Sequence, residues 1–198
     1  MKMKQNKGNV WICTGLLLIA AALLLFCNNK IEDLHAQKSV RKVMEEISAK
    51  APKAESKEVP VYPVDEEQEM PVETIDGKEY IGVLSIPSLG LELPVLAQWN
   101  YPDLKKAPCR YAGSLYQDNL IICAHNYDAH FGRLKTLQTG DEVTFVDMDE
   151  NVVGYKVVEM EILKPTNIEE MEGGDWDLTL FTCTKGGRTR VTVRCVRE

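Results

Sequence analysis

Residues 178–195 read LTLFTCTKGGRTRVTVRC. Two runs rich in Leu, Thr, Val and Phe flank a polar turn with two adjacent glycines, the composition of a β-hairpin. Toward the N-terminus, YIGVLSIP, LELPVL, NLIICAH, EVTFVDM and VVGYKVVEMEIL have the same character, each bounded by Gly, Pro, Asn or Asp. Only HFGRLKTL at 130–137 reads as a helical turn, and GDE at 140–142 ends it and starts a hairpin. Residues 80–198 are therefore expected to be all-β, and their seven to eight strands would close most readily into a small barrel, which leaves few exposed edges.

Ahead of this domain the chain changes character twice. Residues 10–27, VWICTGLLLIAAALLLFC, form 18 residues without charge or proline. At 1.5 Å per residue they make a helix of about 27 Å, close to a hydrocarbon core of roughly 30 Å. Lys2, Lys4 and Lys7 precede the run and Glu32 and Asp33 follow it. That asymmetry predicts a signal-anchor with residues 1–9 in the cytoplasm and everything after Asn28 outside. The run exceeds the core of a cleaved signal peptide, and the A-x-A-like position at 34–36 lacks a small first residue. Cys27 could be read as a lipidated cysteine, but Phe26 stands where a small residue is expected. Residues 28–79 are expected to be an extracellular stalk and linker. Ile31, Leu34, Val40, Val43, Met44 and Ile47 give an amphipathic helix through about Lys50, and residues 51–77, with four of the nine prolines and the run DEEQE at 65–69, give an extended tether.

Charge excludes one broad class. The nets of residues 1–29, 30–79 and 80–198 are +3, −5 and −5, with a total of −7 and only 3 His. Without a basic stripe, nucleic-acid binding is not the function. Of 6 cysteines, Cys13 and Cys27 lie in the apolar run, and the spacing of Cys109, Cys123, Cys183 and Cys195 fits no zinc pattern. Cys123 and Cys195 sit inside strand runs as small hydrophobes do.

Cys183 differs, because it ends a strand and opens into a glycine turn, where a rigid backbone can present a reactive group at a rim. His125 ends the strand LIICA in the same way and is a candidate acid and base for a thiol. Arg190, seven residues past Cys183, supplies fixed donors for an oxyanion or a peptide carbonyl. His130, Arg188 and Arg194 are the rivals for those last two roles, and Thr182, beside the nucleophile, either positions substrate or serves as a β-former.

The residues 178–195 resemble the T-L-x-T-C signature of sortases with its downstream Arg, IICAHN resembles the strand that ends in the family's catalytic His, and HFGRL resembles the F-x-x-L segment after it. The resemblance covers residues 80–198, and the anchor and tether match the usual layout of the family. It implies a sortase-like β-barrel and a cysteine transpeptidase with Cys183 as nucleophile, His125 as general acid and base, and Arg190 as substrate-binding and oxyanion-stabilising group. The implied partners are surface proteins bearing a C-terminal LPxTG-like sorting signal and an amine acceptor from a cell-wall precursor or a pilin lysine. No cofactor is implied. Asp147, Asp149 and Glu150 are conceivable calcium ligands but read more simply as a solvated turn. Residues 164–176 are too short for the long helix of class B members, whereas His125 followed by Asn126 resembles that class. The alternatives are an L,D-transpeptidase, whose S-x-G-C setting is missing around Cys183, an extracytoplasmic thiol protease, and a non-catalytic anchored β-domain.

Overall fold

The computed structural model describes residues 7–50 and 68–198; residues 51–67 of the tether expected over 51–77 lie outside the described residues. Among the described residues, nine strands follow one long helix. They are β1 (Glu73–Ile75), β2 (Lys78–Ile86), β3 (Leu91–Leu96), β4 (Cys109–Ala112), β5 (Leu120–Ala124), β6 (Glu142–Asp147), β7 (Val152–Leu163), β8 (Leu178–Cys183) and β9 (Arg190–Arg197). The helices are α1 (Lys7–Lys50), α2 (Tyr101–Leu104) and α3 (Ile168–Glu172).

The strands order as β1-β2-β3-β4-β5-β8-β9-β7-β6, and a further β2–β6 pairing closes eight of them into the expected barrel. β1 lies outside the closed ring and pairs with the first residues of β2, along the edge that β6 takes further on. Closure brings backbones together at Gly82, where a Cβ would collide with the Val146 carbonyl oxygen. Alternating residues point inward, and Ile81, Leu84, Phe145, Tyr155, Leu180 and Val193 are fully buried in the barrel. Each of the aliphatic and Phe side chains among them contributes about 1.5–3 kcal/mol by leaving water. A second cluster, including Cys109, Ile121, Cys123, Phe181 and Met171, packs on the outer face.

Two short strands add to the sequence-based expectation. CRYA at β4 meets β3 through one pair, Leu96 with Cys109, and so carries little periodic signal. β1 and the buried Met70 lie in the stretch expected to be tether, because Met70 and Ile75 find apolar neighbours in the two clusters.

α1 is 44 residues long and uninterrupted. Its first part is long and apolar enough to cross a membrane, and its apolar side chains are exposed, Leu17 at 71% and Leu24 at 72%. The second part does not stand free as the expected stalk would. Ala36 and Val43 are buried, and Val40 and Ile47 pack against the domain, whereas Ile31 and Leu34 stay exposed. The small Ala36 lets the helix approach the barrel where larger residues would hold it off. Polar contacts fix the approach: the Tyr127 hydroxyl donates to Glu32 at 3.1 Å and the Ala129 N–H donates to Asp33 at 2.9 Å.

Candidate active site

β5 and β8 run parallel and in register, with Ala124 beside Thr182. The residues that follow, His125 and Cys183, therefore leave neighbouring strands at the same end of the barrel. The β8–β9 hairpin brings in the third group, since Cys183 is the register partner of Arg190. This hairpin forms because Gly186 and Gly187 take positive φ, 85° and 71°, and because Thr184 and Thr189 close the loop with their hydroxyls 2.9 Å apart.

Strand alternation decides which side chains share the site. Leu178 and Leu180 on β8 and Val193 and Cys195 on β9 point into the barrel. Thr179, Phe181 and Cys183 consequently share the outer face, opposite Arg194, Thr192 and Arg190 in that order. Cys183 and Arg190 line an outer groove of about 190 Å³, walled by Trp99, Tyr111, Ile168 and Met171. Tyr111 stands edge-on to Phe181 with ring centroids 5.2 Å apart, and Trp99 lies over Tyr111 at 5.9 Å. The floor is therefore apolar beside a thiol and a guanidinium.

The cysteines divide by environment. Cys109, Cys123 and Cys195 are buried, and burial pushes the thiols of Cys109 and Cys195 up to about 12. Cys123 is pushed up by burial as well. Cys183 alone among the barrel cysteines is partly exposed.

His125 is half-buried and stacks on Tyr127, centroids 4.0 Å apart and planes 13° off parallel. Its Nδ1 is buried without a partner. Desolvation lowers its pKa below the usual 6.5, with Glu32 raising it and Lys105 lowering it by smaller amounts. The imidazole is thus neutral at neutral pH and able to take a proton.

The rivals separate from the candidates. His130 is fully buried with both ring nitrogens unpartnered, and burial depresses its pKa to about 4, the state of a packed core histidine. Arg188 is exposed in the turn. Arg190 is half-buried and donates to the Gly187 and Thr189 carbonyls, each at 3.2 Å. Thr182 is buried at the edge of the same groove, and its hydroxyl donates to the Ala124 carbonyl at 2.8 Å, tying β8 to β5 immediately before His125. Asp147 is buried and its carboxylate accepts from the Tyr116 hydroxyl, the Asp149 and Asn151 N–H groups and the Asn151 amide. Those donors occupy the lone pairs a cation would use. Among the described residues no cluster of three or more His, Cys, Asp or Glu has a metal-binding arrangement. Sequence reasoning missed the Trp99, Tyr111 and Ile168 wall, because these residues come from a loop, a strand and a helix with no shared motif, and it missed the stack of Tyr127 on His125.

Residues 84–198 match the family model described as sortase domain, more than half of the chain. The chain belongs to the sortase family. It is 31% identical over 116 residues to sortase A of Bacillus anthracis, a match covering 56% of this chain and 55% of that protein. To sortase D of Bacillus subtilis it is 28% identical over 106 residues, covering 52% and 53%. The matches thus span about half the length of these curated relatives. Among solved structures, the pilus-related sortase C of Group B Streptococcus superimposes with a TM-score of 0.52 at 26% identity, covering 63% of this chain and 69% of that one. The sortase barrel is the domain described above, with α1 in front of it.

Proposed function

We propose that the chain is a membrane-anchored cysteine transpeptidase that cleaves an LPxTG-like sorting signal and transfers the surface protein to an amine. The observation that carries this reading is the register: Cys183 opposite Arg190, with His125 and Cys183 following paired residues of adjacent parallel strands. In this reading residues 80–198 carry the catalytic groups, residues 10–27 span the membrane, and the barrel lies outside the cell with the second part of α1 docked on it.

Cys183 gives its proton to His125, and Sγ attacks the carbonyl after the Thr of the sorting signal. Negative charge on that oxygen is met by Arg190, the register partner of Cys183 that lines the same groove. The C–N bond then breaks, and His125 passes its proton to the leaving amine. A thioester on Cys183 remains. An acceptor amine from a cell-wall precursor or a pilin lysine attacks it, and the amine's proton passes through His125 back to the departing thiolate. The apolar groove holds the Leu and Pro side of the signal while shielding the thioester from water. Each bond broken is matched by one formed, so the cycle needs no cofactor.

The test is product partitioning. Full-length enzyme in detergent, given a sorting peptide with rising hydroxylamine or a glycine-rich peptide, will turn over faster and divert product to the hydroxamate or amide. Exclusive hydrolysis across a varied panel of amines would identify a thiol protease instead.

A further inference from the structure

The outer face of β8 and β9 that carries Cys183 and Arg190 also carries Arg194, two register steps away opposite Thr179. Arg194 is only 2% exposed although charged. A buried guanidinium must spend its donors, and this one does. Its Nε donates to Glu161 at 2.7 Å, its Nη1 to the Met171 carbonyl at 2.9 Å and the Thr179 hydroxyl at 3.0 Å, and its Nη2 to the Glu170 carbonyl. Both carbonyls lie at the C-terminal end of α3, where a cation is favoured.

α3 needs such a tie. It has five residues, too few for a helix to persist alone. Near this end Met171 N–H donates to the Asn167 carbonyl at 3.1 Å and Gly173 N–H to the Glu169 carbonyl at 2.8 Å. Yet the β7–β8 connection that contains it supplies Lys164, Pro165, Asn167, Ile168 and Met171 to the groove beside Cys183. Ile168 is 53% exposed at the lip, whereas Met171 is anchored in the outer cluster.

We infer that Arg194 is a positioning residue for substrate specificity: it pins the last turn of α3 to β8 and β9, and so sets where Ile168 and Met171 meet the apolar residues of the sorting peptide. This rests on the reading of the groove as the peptide site. Arg194 touches neither substrate nor reacting atoms. Its loss should therefore weaken peptide binding and leave the reactivity of Cys183 in place.

The experiment uses the full chain in detergent micelles with Arg194→Met, Arg194→Lys and Thr179→Val. For Arg194→Met, KM for a sorting peptide rises at least about 10-fold while kcat stays within about 3-fold, as expected when uniform binding is lost. Labelling of Cys183 by iodoacetamide stays within about 2-fold of wild type, because a small electrophile does not use the groove wall. Deuterium uptake at 167–173 accelerates at least about 10-fold, with β8 and β9 unchanged, the pattern of local opening. Arg194→Lys, which keeps the charge but not the fork, recovers part of both effects. Thr179→Val removes one acceptor and moves both readouts by about 3-fold in the same direction, and it decides the matter if Arg194→Met does not fold. Wild-type exchange at 167–173 in the variants that fold, with KM unchanged, would overturn the pin. Should wild-type enzyme process no sorting peptide at all, the functional reading fails, and the exchange data still decide whether Arg194 holds α3.

Discussion

Cys183 and Arg190 face one another across the β8–β9 hairpin as register partners. The two residues are joined by a six-residue loop, so a slip of one position would move Arg190 to the opposite face of the sheet. The thiol and the guanidinium share the groove because the Thr184 and Thr189 closure and the paired glycines prevent that slip.

Arg190→Ala should lower kcat/KM for a sorting peptide at least about 100-fold, the scale of losing an oxyanion donor. Arg188→Ala, in the exposed part of the turn, should remain near wild type. Steady-state kinetics of the two variants, side by side, distinguish them. A crippled Arg188→Ala beside an active Arg190→Ala would reverse the assignment.

Selective alkylation tests the division among thiols. Because burial raises the thiols of Cys109, Cys123 and Cys195 and withholds them from solvent, limiting iodoacetamide should mark Cys183 at least about 10-fold faster than any of them. Peptide mapping reads the result. Equal labelling of Cys183 and Cys123 would contradict the exposure argument.

The acid limb of activity should follow His125. Its pKa is lowered chiefly by burial, so protonation, and loss of the base form, occurs below pH 6.5. Removing the positive charge in Lys105→Ala should shift the limb to higher pH, and Glu32→Gln should shift it lower, since Glu32 favours the imidazolium. Opposite shifts in kcat/KM profiles, or no shift in either variant, would count against these neighbours.

His130 makes a prediction about stability instead. It titrates near 4 when folded against 6.5 as the reference, so between those values the unfolded chain binds more protons. Stability is fully present above pH 6.5 and falls as pH drops toward 4, by about 3 kcal/mol in all. Denaturant unfolding in detergent, followed by tryptophan fluorescence, should show His130→Phe losing most of that pH dependence. An identical slope in the variant would place the titrating group elsewhere.

Much of this molecule was legible because its chemistry is local in sequence. Val191, Val193 and Cys195 alternate with Arg190, Thr192 and Arg194, and that period of two places the three polar residues on one face. The apolar run at 10–27 announces itself by length. What the sequence hid depends on tertiary contact. β4 is a strand only because Cys109 reaches Leu96 and Cys123 across two neighbours. The docking of α1 turns on Ala36, a residue too small to register in a hydrophobic pattern, and on Glu32 meeting Tyr127 from 95 residues away. The groove wall joins Trp99 from the β3–α2 loop, Tyr111 from β4 and Ile168 from α3, so no spacing rule links them.

The most direct measurement is the intact mass of the full-length enzyme after brief exposure to candidate sorting peptides, with Cys183→Ala and His125→Ala beside it. Acyl transfer predicts an adduct equal to the N-terminal peptide fragment, located on Cys183 by peptide mapping, released by hydroxylamine and absent from Cys183→Ala. A panel of LPxTG-like peptides that leaves Cys183 unmodified, or an adduct that persists in Cys183→Ala, would contradict the account.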